Sequence, residues 1–119
     1  MKEYTTGSIR NISLVSHSNA GKTMLAEAFL HFAGATTRLG KIEDGSTTSD
    51  FEDEEIRRGI SLSTSVIPVE YHGCKINVLD TPGYTDFVGE VISALRVSDS
   101  AAVVVDSVSF CYVVSVFGI

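Results

Sequence analysis

Basic residues are in short supply in this chain. Lysine and arginine number nine against fifteen aspartates and glutamates, for a formal net charge of −6. No direct nucleic-acid patch is therefore expected. Cys74 and Cys111 are isolated, with no CxxC pair and no histidine at metal-ligand spacing. They read as reduced thiols of an intracellular protein rather than as a disulfide. No apolar run follows the charged start Met1-Lys2-Glu3-Tyr4, so no signal peptide is expected there. The apolar stretch at 101–119 is interrupted by Asp106 and several serines and is rich in valine. That pattern favours a buried strand over a membrane span, which needs about 20 apolar residues.

What is present suits one globular domain. The chain has 119 residues, 44% apolar and 20% charged, with two prolines, against roughly 100–200 residues per domain. Residues 11–15 read as a short strand running into a small polar loop at 16–21. A helix follows over 22–33, with Leu25, Phe29 and Phe32 as its apolar stripe. Gly34 is placed to end it in the left-handed conformation.

Residues 34–59 have no period and carry the acidic cluster Asp50-Phe51-Glu52-Asp53-Glu54-Glu55. A loop of that length is either functional or a solvated surface segment. Residues 61–71 read as a strand with Leu62, Thr64 and Val66 on one face, placed at a sheet edge by Pro68. His72-Gly73 is a turn into a more apolar strand at 75–79, which Asp80-Thr81-Pro82-Gly83 breaks. A helix over about 85–97, with Val88, Val91, Ile92 and Leu95 on one face, leads to a third core strand at 101–105. The order predicts an α/β sheet with crossovers and no internal repeat.

Three segments carry chemistry. Ser16-His17-Ser18-Asn19-Ala20-Gly21-Lys22-Thr23 has the strand–loop–helix form of a phosphate-binding loop. Gly21 lets backbone approach the phosphates, and the helix N-terminus attracts the anion. Lys22 supplies charge to the β- and γ-phosphates, and the Thr23 hydroxyl can ligate Mg²⁺. Ser16 stands where glycine is usual, and a positive φ there would be strained. Asp80, at a strand's C-terminal end, faces the crevice where α/β proteins bind ligands. It can hold Mg²⁺ through water while Gly83 offers its amide to a γ-phosphate; alone, this segment would be an ordinary turn. Arg57-Arg58-Gly59-Ile60-Ser61 closes the acidic loop with a hydroxyl that can reach Mg²⁺ when a γ-phosphate is present. The histidines show no metal pattern: His31 and His72 read as structural or exposed, and His17 as packing within the loop.

Together these blocks resemble the translational GTPases, most closely those like elongation factor G. The similarity runs over residues 9–108. It includes Arg10-Asn11-Ile12, the His17…Ala20-Gly21-Lys22-Thr23 loop, Gly40-Lys41-Ile42-Glu43-Asp44-Gly45, residues 50–61, Asp80-Thr81-Pro82-Gly83-Tyr84-Thr85-Asp86-Phe87 and Val103-Val104-Val105-Asp106. The resemblance implies an α/β P-loop GTPase domain, a three-layer sandwich with a mostly parallel sheet, here truncated at its C-terminal side. Residues 1–119 would be that partial domain, with the P-loop at 16–23, switch I at about 34–61 and switch II at about 80–90. It further implies GTP or GDP with Mg²⁺, the ribosome as partner of the full-length protein, a cytoplasmic location and no membrane association.

Four departures bear on activity. Ser16 replaces glycine or alanine, Asn19 replaces a common aspartate, and Ser61 replaces the switch threonine while keeping its hydroxyl. Tyr84 stands where the family places the histidine that positions the attacking water. A phenol can orient water by hydrogen bonding but suits the charge-stabilising role of histidine poorly. The family's Asn-Lys-x-Asp base-reading motif does not occur in these residues, and residues 110–119 no longer resemble the family, as in a truncated or frame-shifted product. The alternatives are a nucleotide-binding switch module with weak or no hydrolysis, a fragment without activity of its own, and an ATPase of another P-loop class.

Overall fold

The computed structural model describes residues 2–37, 57 and 62–107. Strands β1 (Ile9–Val15), β2 (Ser65–Tyr71), β3 (Cys74–Asp80) and β4 (Ser100–Val103) form a sheet ordered β2-β3-β1-β4. β1 pairs in parallel with both β3 and β4, while β2 and β3 are antiparallel. Parallel neighbours require crossovers, and these contain α1 (Lys22–Phe32) and α2 (Val88–Val97). The first crossover steps from β1 toward β3 and the second steps back past β1 to β4. That reversal leaves a crevice at the C-terminal end of β1.

Side-chain alternation along β1 divides the two faces. Leu14 packs with Ala26 and Leu30 of α1 and with Ile67, Val69 and Val78 of the sheet. On the opposite face the Ser13 hydroxyl lies 2.5 Å from that of Ser98, at the end of α2. The sheet is thus the middle of three layers. The apolar core sits under α1, where removing a buried leucine side chain costs about 2–5 kcal/mol.

Local chemistry explains the ends of the elements. Gly34 has φ +75°, with its amide donating to His31 O at 3.1 Å and the Ala35 amide to Leu30 O at 3.0 Å. This pair of bonds satisfies the last carbonyls of α1. His72 and Gly73, with φ of +47° and +76°, make the two-residue hairpin turn between β2 and β3. Pro68 lies on β2, an edge strand of the sheet among the described residues, where a missing N–H is tolerated.

Several expectations about which side faces the core need correction. The buried face of α1 is Thr23, Ala26, Glu27 and Leu30. Leu25 is half-buried, and Phe29 and Phe32 instead line an open apolar cavity of about 380 Å³ with Tyr71 and Val69. The second strand starts at Ser65 and buries Ser65, Ile67 and Val69, leaving Val66 60% exposed. The helix expected over 85–97 begins as a 3-10 turn at Thr85–Phe87. α2 buries Ala94, while Val88 and Ile92 are half exposed. β4 is the other edge of the sheet among the described residues, with Val103 and Val105 exposed, rather than a core strand. The expected strand or span continuing to 119, Cys111 and most of the 34–61 loop lie outside the described residues. No helix among the described residues is long and apolar enough to cross a membrane.

Candidate phosphate-binding site

The chain leaves β1 at Val15 and enters α1 through residues 16–21. Gly21 caps the helix with φ +91°, and no side chain takes the cap hydrogen bond. A helix N-terminus of this kind, capped by glycine, is suited to an anion. Asn19 supplies the loop's other left-handed residue, with φ +61°, a conformation asparagine tolerates better than most. Ser16 is not among the residues of positive φ, so the expected strain does not arise there. Its hydroxyl donates to His17 O at 2.9 Å and accepts from Lys22 Nζ at 3.3 Å.

Lys22 is only 6% exposed and donates to His17 O at 2.9 Å. Burial holds its ammonium below the ordinary lysine range, with the nearby Asp80 charge partly opposing that shift. Beside it, Thr23 Oγ1 donates to Asp80 Oδ2 at 2.7 Å, with Thr23 7% and Asp80 1% exposed. This link joins residues 57 positions apart in sequence. A second one ties the same junction to β1: Thr81 Oγ1 donates to Leu14 O at 2.6 Å.

Gly83 then passes directly over the loop. A Cβ added there would lie 2.6 Å from Lys22 Nζ and 2.7 Å from the Ser18 backbone. Gly83 thus makes a close backbone approach that a side chain would block, while Gly21 is required for its φ of +91°. Tyr84 follows at 38% exposure, its carbonyl accepting from the Phe87 amide at 3.1 Å. His17 Nδ1 hydrogen-bonds Ser18 O at 2.5 Å, and its buried Nε2 has no hydrogen-bond partner. It packs the loop together from within.

The structure brings Ser16, His17, Ser18, Lys22, Thr23, Asp80 and Gly83 together, with exposed Asn19 and half-buried Ala20 on the rim of the loop. Ser61 lies outside the described residues. Among the described residues, no three His, Cys, Asp or Glu side chains gather as a metal site. One hydroxyl and one carboxylate do suit a hard cation that keeps waters and phosphate oxygens as its other ligands.

Sequence reasoning missed Thr81 and Glu90, whose partners are distant in the chain. It also missed a polar network under β1. There Asn11 Nδ2 donates to Val97 O at 2.9 Å, Asn77 Nδ2 to Asn11 Oδ1 at 2.8 Å, and the Asn11 amide to Asp99 at 2.8 Å. The signal was an asparagine in each of two apolar strands, which the register places opposite one another.

Comparison with known proteins identifies the family. The family model for the elongation factor Tu GTP binding domain matches residues 7–111. Elongation factor G of Chlamydia caviae is 42% identical over 108 residues, which cover 91% of this chain and 16% of that protein. The mitochondrial ribosome-releasing factor 2 of Scheffersomyces stipitis is 40% identical over 100 residues, 84% of this chain and 12% of that protein. A crystal structure of a Thermus thermophilus protein matches with TM-score 0.79 and 43% identity, over 82% of this chain and 15% of that one. The chain thus spans a small part of the length of the curated relatives it matches. With its mixed α/β sheet and its strand–loop–helix site, this chain belongs to the elongation factor Tu GTP binding domain family and has the fold of a P-loop GTPase.

Proposed function

We propose that the chain is the nucleotide-binding part of the GTPase domain of a translation factor like elongation factor G. Guanine nucleotide and Mg²⁺ would be its ligands, and the ribosome the partner of the whole protein in the cytoplasm. The observation that carries this reading is the convergence of Lys22, Thr23, Asp80 and Gly83 at the ends of β1 and β3. In this reading residues 16–23 cradle the phosphates, and about 34–61 and about 80–90 are the two switch segments. Preference for guanine over adenine rests on family membership.

Each residue has a definite task. The N-terminus of α1 and the Lys22 ammonium bind the phosphates. Lys22 is held ready by His17 O and Ser16 Oγ. The Thr23 hydroxyl and Asp80 carboxylate would hold Mg²⁺, Asp80 through water, with Ser61 adding its hydroxyl in the γ-phosphate state. Bound Mg²⁺ neutralises charge on the phosphate oxygens. Gly83 brings its amide to the γ-phosphate side, a position open only to a residue without Cβ. Hydrolysis would be in-line attack by water, with the protein positioning the reactants and stabilising charge. Tyr84 would sit beside that water.

Tyr84 also favours a second reading, a switch that binds nucleotide and hydrolyses it slowly. Single-turnover hydrolysis by the chain and by its Tyr84→His variant separates the two. A gain of about 100-fold or more on substitution, the scale of a positioned proton-transfer group, identifies Tyr84 as the limit on chemistry. Equal rates well above the uncatalysed rate support a competent GTPase.

A further inference from the structure

Glu90 occupies the third position of α2, where a glutamate ordinarily folds back to its own helix cap. Here the amide of the N-cap, Phe87, donates to Tyr84 O at 3.1 Å. The carboxylate instead reaches another part of the chain: the Thr64 amide donates to Glu90 Oε2 at 2.9 Å. A second bond runs in the same direction, the Thr64 hydroxyl donating to Glu90 O at 3.4 Å. Both are partly buried and join residues 26 positions apart.

The location of this double contact gives it meaning. Thr64 is the last residue before β2 and lies three positions after Ser61. Glu90 lies seven positions after Gly83, which is packed against Lys22 and Ser18. Apolar burial does little to fix α2, since Ala94 is its single buried residue. A charge-assisted bond to a backbone amide is therefore a major restraint on its first turn.

Resting on the nucleotide-binding reading above, we propose that Glu90 is a positioning residue that couples the two flanks of the phosphate site. Through Thr64 it makes the chain entering β2 and the segment from Gly83 into α2 order together when a γ-phosphate is bound. The competing role is local: a carboxylate in the first turn of a helix also stabilises that helix through its dipole. Glutamine separates the two, because its amide oxygen still accepts from Thr64 but carries no charge.

The test uses the 119-residue chain with Glu90→Ala and Glu90→Gln, titrated with GDP and with a non-hydrolysable GTP analogue in Mg²⁺. The expected result for Glu90→Ala is a loss of about tenfold for the analogue, within the usual range of coupling between sites, with GDP affinity nearly unchanged. Glu90→Gln restores most of it. Equal losses for both nucleotides, no loss, or a Gln variant as weak as Ala would overturn the proposal. If the unaltered chain binds neither nucleotide, the nucleotide reading fails, and amide hydrogen exchange still decides the coupling. Faster exchange in Glu90→Ala at both 62–66 and 88–91, reversed in Glu90→Gln, upholds it; a change in one segment only refutes it.

Discussion

α1 and α2 are nearly equal in length, 11 and 10 residues, yet they are attached to the sheet in opposite ways. α1 buries five side chains, two of them in the apolar core with Leu14, Ile67, Val69 and Val78. Its N-terminus carries the phosphate loop, and its C-terminus is closed by Gly34 and Ala35. α2 buries Ala94 alone and is held by polar contacts: Glu90 with Thr64, Asn11 with Val97, and Ser98 with Ser13. Apolar packing is short-ranged, additive and hard to undo stepwise. Hydrogen bonds at the ends of a helix can be exchanged one at a time. The difference assigns a fixed scaffold to the helix that begins at Lys22 and leaves the helix after Gly83 as the part able to respond, since segments with few buried apolar contacts open most readily.

The largest effect that would test this contrast is on stability. Leu30→Ala, under α1, is expected to lower the unfolding free energy by about 2–5 kcal/mol. Ala94→Gly, at the one buried position of α2, should cost about 1 kcal/mol. Urea unfolding of both variants measures the gap, and equal losses would mean that α2 is as firmly built in as α1. Next in size is Gly83→Ala. Its Cβ would meet Lys22 Nζ and the Ser18 backbone, so the segment must move off the phosphate loop. The expected outcome is a GTP-analogue affinity lower by about tenfold, the scale of one hydrogen bond to a charged group, with little change in Tm. Unchanged affinity would show that Gly83 does not contribute its amide.

The smallest expected effect is a pH dependence, and its sign distinguishes folding from binding. Burial lowers the Lys22 pKa in the folded chain below its ordinary value of 10.5. Between the two values the unfolded state binds more protons, so this group's contribution makes stability rise with pH across that alkaline window. Bound phosphate favours the ammonium and moves the pKa back up. Nucleotide affinity should therefore fall with pH over the same window, with proton uptake on binding. Calorimetry in buffers of different ionisation enthalpy reads that uptake, and Lys22→Met should abolish it.

Much of the site was legible because its chemistry is local. A strand, a small-residue loop and Gly-Lys-Thr opening a helix mark a candidate anion site within eight residues, and Asp80 marks itself by ending an apolar strand. Pro68 placed β2 at an edge through its missing donor. The orientation of the elements was less legible. In β2 the choice between Val66 and Ile67 is a one-residue register question, and a slip of one exchanges the two faces. In α1 and α2, apolar residues fill both the buried and the exposed sides, so the most apolar stripe is not the most buried one. Phe32, 77% exposed, shows this most clearly. Links such as Thr23–Asp80, Thr81–Leu14 and Asn11–Asp99 span 57 to 88 positions. Only the folded chain reveals them.

The most direct test of the central claim is a titration of the 119-residue chain with fluorescent GDP, with and without Mg²⁺, followed by competition with unlabelled GDP and ADP. Circular dichroism on the same samples reports whether the chain is folded. The account predicts binding that Mg²⁺ strengthens, that GDP displaces and ADP does not, and that loses its Mg²⁺ dependence in Thr23→Ala and Asp80→Ala. A folded chain that binds no nucleotide, or binds it with no response to Mg²⁺ or to those two substitutions, would contradict it.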